Sequence, residues 1–266
     1  MEKKMLVFDL DDTLLTSEKT ITPRTVEAIK ICKEKGMFIG YITGRARPMK
    51  DEVFCTEEYN LPRDFIAYSN GAEIYVGDVL IQRNVISYEN AMKMIRCISE
   101  AYPTAIIGVR HEPWSYLQTS GENWNIETGE KVKCDIFELP HYEVQRIIVM
   151  FDENEADDFK SNDFMEFMTE EAIFFVTHDG SAMIVHKNAR KEQALKKAAE
   201  YFNISLSDVI AFGDDVTDGD MLKTAGVGVA MANAREQVKE IADYITETND
   251  NEGIAVWIDK YLLGRD

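Results

Sequence analysis

The pattern of apolar and polar positions divides the chain into short buried strands and amphipathic helices. Met5–Phe8 and Phe38–Ile42 are uninterrupted apolar runs, which are typical of strands buried on both faces in a parallel sheet. Between them, apolar residues recur at helical spacing after Thr22 and Pro23, a pair favoured at helix starts, and before Gly36, a residue favoured at helix ends. A strand, a helix and a strand in so short a span predict a βαβ unit, whose strands are parallel.

This alternation stops near residue 84. Tyr88–Ala101 has the pattern of an amphipathic helix, 146–151 that of a strand, and 178–181 that of a hairpin turn. Hairpins combined with a one-sided helix favour an antiparallel sheet covered on one face.

The βαβ alternation resumes with a predicted helix at Lys191–Phe202 and an apolar strand at 209–212. A pattern that stops and resumes indicates one domain split around another. We therefore predict an α/β protein: a Rossmann-like core with a parallel sheet, formed by residues 1–83 and 188–266, and an inserted α/β cap domain at 84–187.

The charge balance excludes two broad classes of partner. The chain has 266 residues, with 48 acidic and 29 basic side chains and a net charge of −19. A surface this acidic repels nucleic acids and anionic lipids, so we expect neither as a partner. No apolar run approaches the length of a membrane span. A phosphorylated ligand would also be repelled at long range, so a site for one must be locally positive or hold a metal.

The cysteines lie far apart and form no closely spaced pair. The N-terminus does not resemble a signal peptide, and together these features favour free thiols in a reducing compartment. We therefore expect a cytoplasmic protein whose cysteines pack as small apolar residues. The four residues are Cys32, Cys55, Cys97 and Cys134.

Acidic side chains are concentrated directly after the first predicted strand. Asp9, Asp11 and Asp12 lie within four positions, and because Asp is common in turns, this segment alone is compatible with a simple turn. Because side chains on an extended chain alternate between faces, we expect Asp9 and Asp11 to point the same way while Leu10 points back into the protein. Two carboxylates held side by side repel each other unless a cation lies between them, and Mg²⁺ prefers such oxygen ligands.

Polar residues follow other predicted strands as well. Thr43 comes directly after the strand at Phe38–Ile42, and Gly213 and Asp214 come after the strand at 209–212. The carboxyl ends of parallel strands meet at one edge of a sheet, where open α/β sheets bind ligands. We therefore expect these residues near Asp9.

A cation and a further acid complete the candidate set. Lys191 opens a predicted helix, and the neighbouring Lys187 and Arg190 are its rivals for the same role. Asp218 lies four positions after Asp214, where it could support that residue or, like Asp220, cap the helix that follows.

Taken together, these motifs resemble those of the haloacid dehalogenase-like phosphatase superfamily. The resemblance covers the whole chain, and it is greatest to the Cof-type sugar-phosphate phosphatases, which carry an inserted α/β cap. Four motifs in order, each at a strand end or a helix start, are far more specific than any one of them. The matching residues are Asp9-x-Asp11-x-Thr13, Ile42-Thr43-Gly44-Arg45, Ser69-Asn70-Gly71-Ala72, Lys191, Gly213-Asp214-x-x-x-Asp218, Ala230-Met231-x-Asn233-Ala234 and Asn251-Glu252-Gly253-Ile254.

The resemblance implies a role for each matching side chain in phosphoryl transfer. Asp9 would be the nucleophile that forms an aspartyl-phosphate, and Asp11 would be the general acid and base. Thr43, Gly44 and Lys191 would bind the phosphoryl oxygens. Arg45 is expected only at the surface or as a supporting residue.

The resemblance also implies a magnesium site. The ligands would be the Asp9 carboxylate, the Asp11 backbone carbonyl and Asp214, with Asp218 as a further ligand or as a residue that orients the others. Phosphoryl transfer depends mainly on positioning and on neutralising charge, which suits this division of roles.

Four residues depart from the usual family pattern. Asp12 and Glu192 replace glycines, Asp215 replaces a small residue, and Thr217 replaces an asparagine. The added negative charge bears on metal affinity and on substrate range, whereas the implied mechanism needs none of the four.

The expected function is Mg²⁺-dependent hydrolysis of small phosphoesters, with sugar phosphates as the first choice of substrate. A phosphomutase of the phosphomannomutase type would use the same nucleophile and remains an alternative. A receiver-type signalling module is disfavoured, because such modules are much shorter and have no second acid two residues after the first. The sequence does not indicate the oligomeric state.

Overall fold

The computed structural model describes residues 4–47, 60–111, 114–118, 130–133, 135–151, 164–176 and 180–265, with the backbone alone for 114–118 and 130–133. The strands in this part of the chain are β1 Met5–Phe8, β2 Phe38–Ile42, β3 Phe65–Tyr68, β4 Glu73–Val76, β5 Val79–Arg83, β6 Ile106–His111, β7 Trp114–Gln118, β8 Glu130–Lys133, β9 Arg146–Met150, β10 Ala172–Val176, β11 Ala182–His186, β12 Val209–Gly213, β13 Val227–Ala230 and β14 Tyr244–Ile245. The α-helices are α1 Pro23–Glu34, α2 Tyr88–Ala101, α3 Lys191–Phe202, α4 Gly219–Thr224, α5 Glu236–Lys239 and α6 Gly253–Ile258.

The chain forms two compact units. Unit one comprises Met1–Ala46, Lys50–Arg83 and Arg190–Asp266, and unit two comprises Arg47–Met49 and Asn84–Ala189. The sequence predicted an insert at 84–187; its role as a cap stays a prediction.

Unit one contains an eight-stranded sheet in the order β14-β13-β12-β1-β2-β3-β4-β5. The strands from β14 to β3 pair in parallel, and the hairpin β4–β5 adds two antiparallel strands at one edge. Because β1 pairs with both β2 and β12, the carboxyl ends of these three strands lie side by side.

The apolar runs of the sequence form strands covered on both faces, as β1 illustrates. Leu6 and Phe8 pack into one core cluster, whereas Met5 and Val7 pack into another on the opposite face. Helices α1 and α6 contribute to the first cluster, and α3 and α4 contribute to the second. The predicted start of α1 is also observed, with Pro23 in the first turn and the Thr22 side chain accepting a hydrogen bond from the Thr25 amide.

Unit two contains a six-stranded sheet in the order β10-β11-β9-β6-β7-β8. All pairs are antiparallel except β7–β8, which is parallel. Helix α2 packs its apolar side, including Met94, Ile95 and Ile98, into one cluster with Val109 and Ile147 of the sheet. The predicted hairpin joins β10 to β11, although residues 177–179 of its turn lie outside the described part of the chain.

The predicted fold class, an α/β protein with a parallel core sheet and an inserted α/β segment, is confirmed. Within the described ranges, no helix combines the length and the apolar character that crossing a membrane requires. Cys32 and Cys97 are free thiols, as expected, whereas Cys55 and Cys134 lie outside those ranges.

Candidate active site

The candidate residues lie on loops that follow the parallel strands of unit one. Asp9 directly follows β1, and its amide donates a hydrogen bond to the Phe212 carbonyl of β12 at 3.1 Å. Thr43 follows β2, and Asp214 follows β12. The expectation that these residues meet at one edge of the sheet therefore matches the strand pairing.

A buried ion-pair cluster lies at this edge. Lys191 is the first residue of α3, and its Nζ lies 2.8 Å from Asp9 Oδ1 and 2.7 Å from Asp218 Oδ1. The exposed fraction is 3% for Lys191, 5% for Asp9 and 0% for Asp218. Charged groups are rarely buried so deeply unless they are paired, and here one ammonium group serves two carboxylates.

Burial and the neighbouring charges shift the pKa values of Asp9 and Lys191. Burial raises the pKa of Asp9 well above its usual value; Lys191 opposes this shift, and Asp218 and Asp214 add to it. Although burial lowers the pKa of Lys191, the charges of Asp218 and Asp9 raise it above the ordinary lysine value. The lysine is therefore cationic, and the Asp9 carboxylate needs further positive charge to stay ionised.

Asp214 and Asp218 are fixed by the turn that follows β12. Asp218 Oδ2 accepts hydrogen bonds from the amides of Asp214, at 3.1 Å, and Asp215, at 3.0 Å. Gly213 makes this close approach possible, because a Cβ at that position would lie 2.5 Å from the Asp218 Cβ. Thr13 Oγ1 donates to Asp214 Oδ1 at 2.6 Å, which ties the turn to the loop after β1.

The carboxylates of Asp9, Asp214 and Asp218 suit a divalent cation. One oxygen from each lies within 4.8 Å of the other two, and carboxylate oxygens are the donors that Mg²⁺ prefers. Burial raises the pKa of Asp214 to about 7, with Asp218 and Asp12 adding to the shift and Thr13 and Lys191 opposing it. A cluster this short of positive charge therefore fits the predicted metal ion.

Asp11 lies in the turn Leu10–Leu14, which begins directly after Asp9. Strand β1 ends at Phe8, and Leu10–Leu14 forms a tight turn, so the alternation of side chains along a strand does not extend to Asp11. That Asp9 and Asp11 point the same way stays a prediction. Asp11 is held by Arg45, whose Nε and Nη2 donate to its two carboxylate oxygens at 2.7 and 2.6 Å. Lys19 Nζ lies 3.1 Å from the same carboxylate.

The two cations determine the charge of Asp11. Burial raises its pKa, but the hydrogen bonds and charges of Arg45 and Lys19 outweigh this effect and hold it below the usual value. Asp11 is therefore an ionised carboxylate in this arrangement.

Thr43 and Gly44 belong to a loop that is braced by the segment after β3. Thr43 is buried, and its carbonyl accepts a hydrogen bond from the Asn70 amide at 2.8 Å, while the Arg45 carbonyl accepts one from Ser69 at 2.7 Å. Ser69, Asn70 and Gly71 all have positive φ, of 48°, 57° and 100°. Strained backbone of this kind is concentrated at functional sites.

The sequence of the chain matches the model of a known protein family. The family model described as haloacid dehalogenase-like hydrolase matches residues 6–258, which is nearly the whole chain.

The chain belongs to the haloacid dehalogenase-like hydrolases.

Individual members of this family are similar to the chain over almost their full length. The 5-amino-6-(5-phospho-D-ribitylamino)uracil phosphatase YcsE of Bacillus subtilis is 29% identical, over 98% of this chain and 96% of that protein. The phosphatase BT1666 of Bacteroides thetaiotaomicron has a TM-score of 0.82 at 25% identity, over 97% of this chain and 95% of its own. The subclass IIB sugar phosphatase BT4131 has a TM-score of 0.80 at 25% identity, over 97% and 99%. The family predicted from the motifs is therefore confirmed.

Within this haloacid dehalogenase-like fold, the structure separates Lys191 from its two rivals. Only Lys191 is in contact with Asp9 among the three. Arg190 instead pairs with Glu192 and Asp220, and Lys187 is an exposed residue of unit two.

Sequence reasoning missed several residues that support the site. Arg45 was expected at the surface or as a support, and it does support Asp11 with two hydrogen bonds, but this partner was not predicted and Lys19 had not been considered. Asn233 Nδ2 donates to the Asp12 carbonyl at 2.7 Å, and its Oδ1 accepts from the Asn249 amide at 3.0 Å. The only available signal was the position of Arg45 and Asn233 within motifs at strand ends.

Proposed function

We propose that this chain is a Mg²⁺-dependent phosphatase that hydrolyses small phosphoesters through an aspartyl-phosphate on Asp9. The observation that carries the proposal is the buried arrangement of Asp9, Lys191 and Asp218, with Asp214 beside them. The predicted enzyme class, a phosphoric monoester hydrolase, agrees with the family and with relatives that are named phosphatases.

In the proposed reaction, an Asp9 carboxylate oxygen attacks phosphorus as the bond to the leaving alcohol breaks. Asp11 gives a proton to the leaving oxygen. Asp11 then takes a proton from the water that attacks phosphorus, which releases inorganic phosphate and restores the Asp9 carboxylate. Splitting the reaction in this way replaces one difficult displacement with two easier ones.

The cationic and polar groups at the site have a separate role. Lys191 would bind a phosphoryl oxygen with the ammonium group that now lies 2.8 Å from Asp9, and Thr43 and Gly44 would bind the others. These groups act where charge changes during transfer, in a buried setting where water competes least.

The ligand set proposed for Mg²⁺ consists of Asp9, Asp214 and the Asp11 backbone carbonyl. Asp218 orients the set, because its Oδ1 contacts Lys191 and its Oδ2 already accepts hydrogen bonds from two amides. When bound, the ion would supply positive charge to the phosphoryl oxygens and to the crowded carboxylates.

The Asp11–Arg45 pair adds one requirement to this mechanism. A general acid must carry a proton. The pKa of the paired Asp11 carboxyl, however, lies below its usual range, because Arg45 and Lys19 lower this pKa by more than burial raises it. The pair must therefore loosen before Asp11 can protonate the leaving group, which would occur if the bound substrate draws Arg45 away.

Sugar phosphates are the first choice of substrate, and unit two is proposed to act as the cap that selects among them. The support is the similarity to the sugar phosphatase BT4131 and to YcsE, whose named substrate is a phosphorylated ribityl compound.

A phosphate-release screen over phosphoesters tests the proposal. We expect the wild-type protein to release phosphate with Mg²⁺ and to lose this activity in excess EDTA. Asp9→Asn should have no turnover, while Asp78→Asn, which alters an exposed acid in the β4–β5 turn, should match the wild type. Full activity in Asp9→Asn, or activity unchanged by EDTA, would refute the proposal. Conversion of a sugar phosphate to its isomer without phosphate release would indicate a mutase instead.

A further inference from the structure

Three residues of the candidate site are each followed in the sequence by a further acid. Asp12 follows Asp11, Asp215 follows Asp214, and Glu192 follows Lys191. Three extra negative charges beside a phosphoryl site would repel an anionic substrate and attract a metal ion.

Each of these acids is ion-paired with a nearby base. Lys19 Nζ lies 3.2 Å from Asp12, Arg190 Nε lies 3.1 Å from Glu192, and Arg235 Nε lies 2.7 Å from Asp215.

The backbone and side-chain contacts place all three bases at the site. Lys19 also contacts the Asp11 carboxylate at 3.1 Å, and Arg190 directly precedes Lys191. The Arg235 amide donates a hydrogen bond to the Asp214 carbonyl at 3.1 Å.

We propose that Lys19, Arg190 and Arg235 are charge-compensating residues that set the balance between magnesium binding and phosphoryl binding at this site. The inference rests on the proposed function and assigns it three further positioning residues. They need not touch the substrate, because a unit charge acts on the ions at the site through the solvent-exposed rim.

We expect each substitution to change the affinity for Mg²⁺ and the affinity for phosphate in opposite directions. Removing a base leaves its acid uncompensated, so Mg²⁺ should bind more tightly and phosphate more weakly. Removing Asp215 leaves Arg235 uncompensated, so both changes should reverse; Lys19 and Arg190 each keep a second acidic partner, Asp11 and Asp220. A residue with a merely structural role would weaken both ligands together.

The Asp215–Arg235 pair is the best place to test this, because both side chains are about half exposed, at 45% and 47%. Substitutions at this exposed pair should leave the core intact. The variants are Asp215→Asn, Arg235→Gln and the double variant. The two measurements at low salt are the dissociation constant for Mg²⁺, by calorimetry, and the inhibition constant for inorganic phosphate.

Arg235→Gln should bind Mg²⁺ roughly twofold to fivefold more tightly and phosphate more weakly by a similar factor, as expected when a unit charge acts on nearby ions through a high dielectric. Asp215→Asn should show the reverse, and the double variant should return to within about twofold of the wild type. The control is Lys197→Gln, which breaks an exposed pair with Glu200 on α3; it should change neither constant.

The proposal is overturned if both constants change in the same direction, or if both stay at their wild-type values. It is also overturned if the constants of the double variant do not return to near the wild-type values. These outcomes are distinct from failure of the proposed function, which would appear as no Mg²⁺-dependent phosphate release in the wild-type protein.

Discussion

The charge of Asp214 should respond to pH near neutrality. Burial is the largest cause of its raised pKa of about 7, with Asp218 and Asp12 contributing repulsion while Thr13 and Lys191 act in the opposite direction. The unfolded chain has none of these neighbours, so the pKa of its Asp214 is near the ordinary aspartate value of 3.8.

The stability of the metal-free protein should therefore depend on pH in a defined direction. Between pH 3.8 and about 7 the folded state binds a proton at Asp214 more tightly than the unfolded state does, so this group destabilises the fold progressively as pH rises through that window. Mg²⁺ competes with that proton, so we expect it to raise the unfolding temperature more at pH 7.5 than at pH 5.

Thermal unfolding with and without Mg²⁺ at several pH values measures this effect. In Asp214→Asn the dependence of the Mg²⁺ effect on pH should be much reduced. An Mg²⁺ effect that is largest at the acidic end would contradict the assignment of Asp214 as a ligand.

The sequence predicts which residues belong to the candidate site better than it predicts which side chains these residues contact. Asp9 and Asp214 were identified because each stands at a strand end, and Lys191 was chosen over its neighbours because of the family resemblance; the structure brings the three together. The Arg45–Asp11 pair joins positions that are 34 residues apart, and no local pattern specifies which of several acids an arginine will meet.

The turn from Gly213 to Asp218 is the element that joins the site to the sheet. It leaves β12, contributes Asp214, and returns Asp218 so that its Oδ2 accepts hydrogen bonds from the Asp214 and Asp215 amides. The turn can close in this way only because Gly213 has no side chain.

Gly213→Ala should therefore disable the site. The new Cβ would lie 2.5 Å from the Asp218 Cβ and 2.6 Å from its Cγ, so Asp218 must move away from Lys191. We expect loss of most phosphatase activity and a free energy of unfolding lower by roughly 1–3 kcal/mol, the usual cost of overpacking.

Gly219→Ala is the matched control, because its Cβ would meet only the flexible end of the Ile241 side chain, at 3.1 Å. Its activity should stay near that of the wild type. Wild-type kinetics in Gly213→Ala would show that the position of Asp218 does not matter to the reaction.

At the element scale, the sequence predicted strands and helices well where the apolar pattern was long. Tyr88–Ala101 and Lys191–Phe202 were predicted at their observed bounds. The first strand was also predicted at its observed bounds, Met5–Phe8, whereas the tight turn at Leu10–Leu14 was not predicted, because its apolar residues follow no pattern that indicates such a turn.

Net charge is the property of the whole molecule that bears on its proposed substrates. At −19, the chain repels a phosphoester dianion over a distance that shrinks as salt is added. The division into two units followed from the change in pattern near residue 84, but no composition or motif in unit two specifies what it binds.

The rate constant kcat/KM for a dianionic phosphoester should consequently rise with ionic strength. Between about 10 mM and about 150 mM salt the Debye length falls from about 30 to about 8 Å, which screens the long-range repulsion. We expect roughly a twofold to threefold increase, measured with an inert salt and saturating Mg²⁺. A steady decrease would show that attraction by the local cations outweighs the charge of the molecule.

The central claim is that Asp9 carries the phosphoryl group during the reaction. The most direct measurement is mass spectrometry of the peptides from protein quenched in acid during turnover of a good phosphoester substrate. We expect the added mass of one phosphoryl group on the peptide that contains Asp9, and no such addition in Asp9→Asn. Rapid phosphate release with no modified peptide, or a modification at another residue, would contradict it.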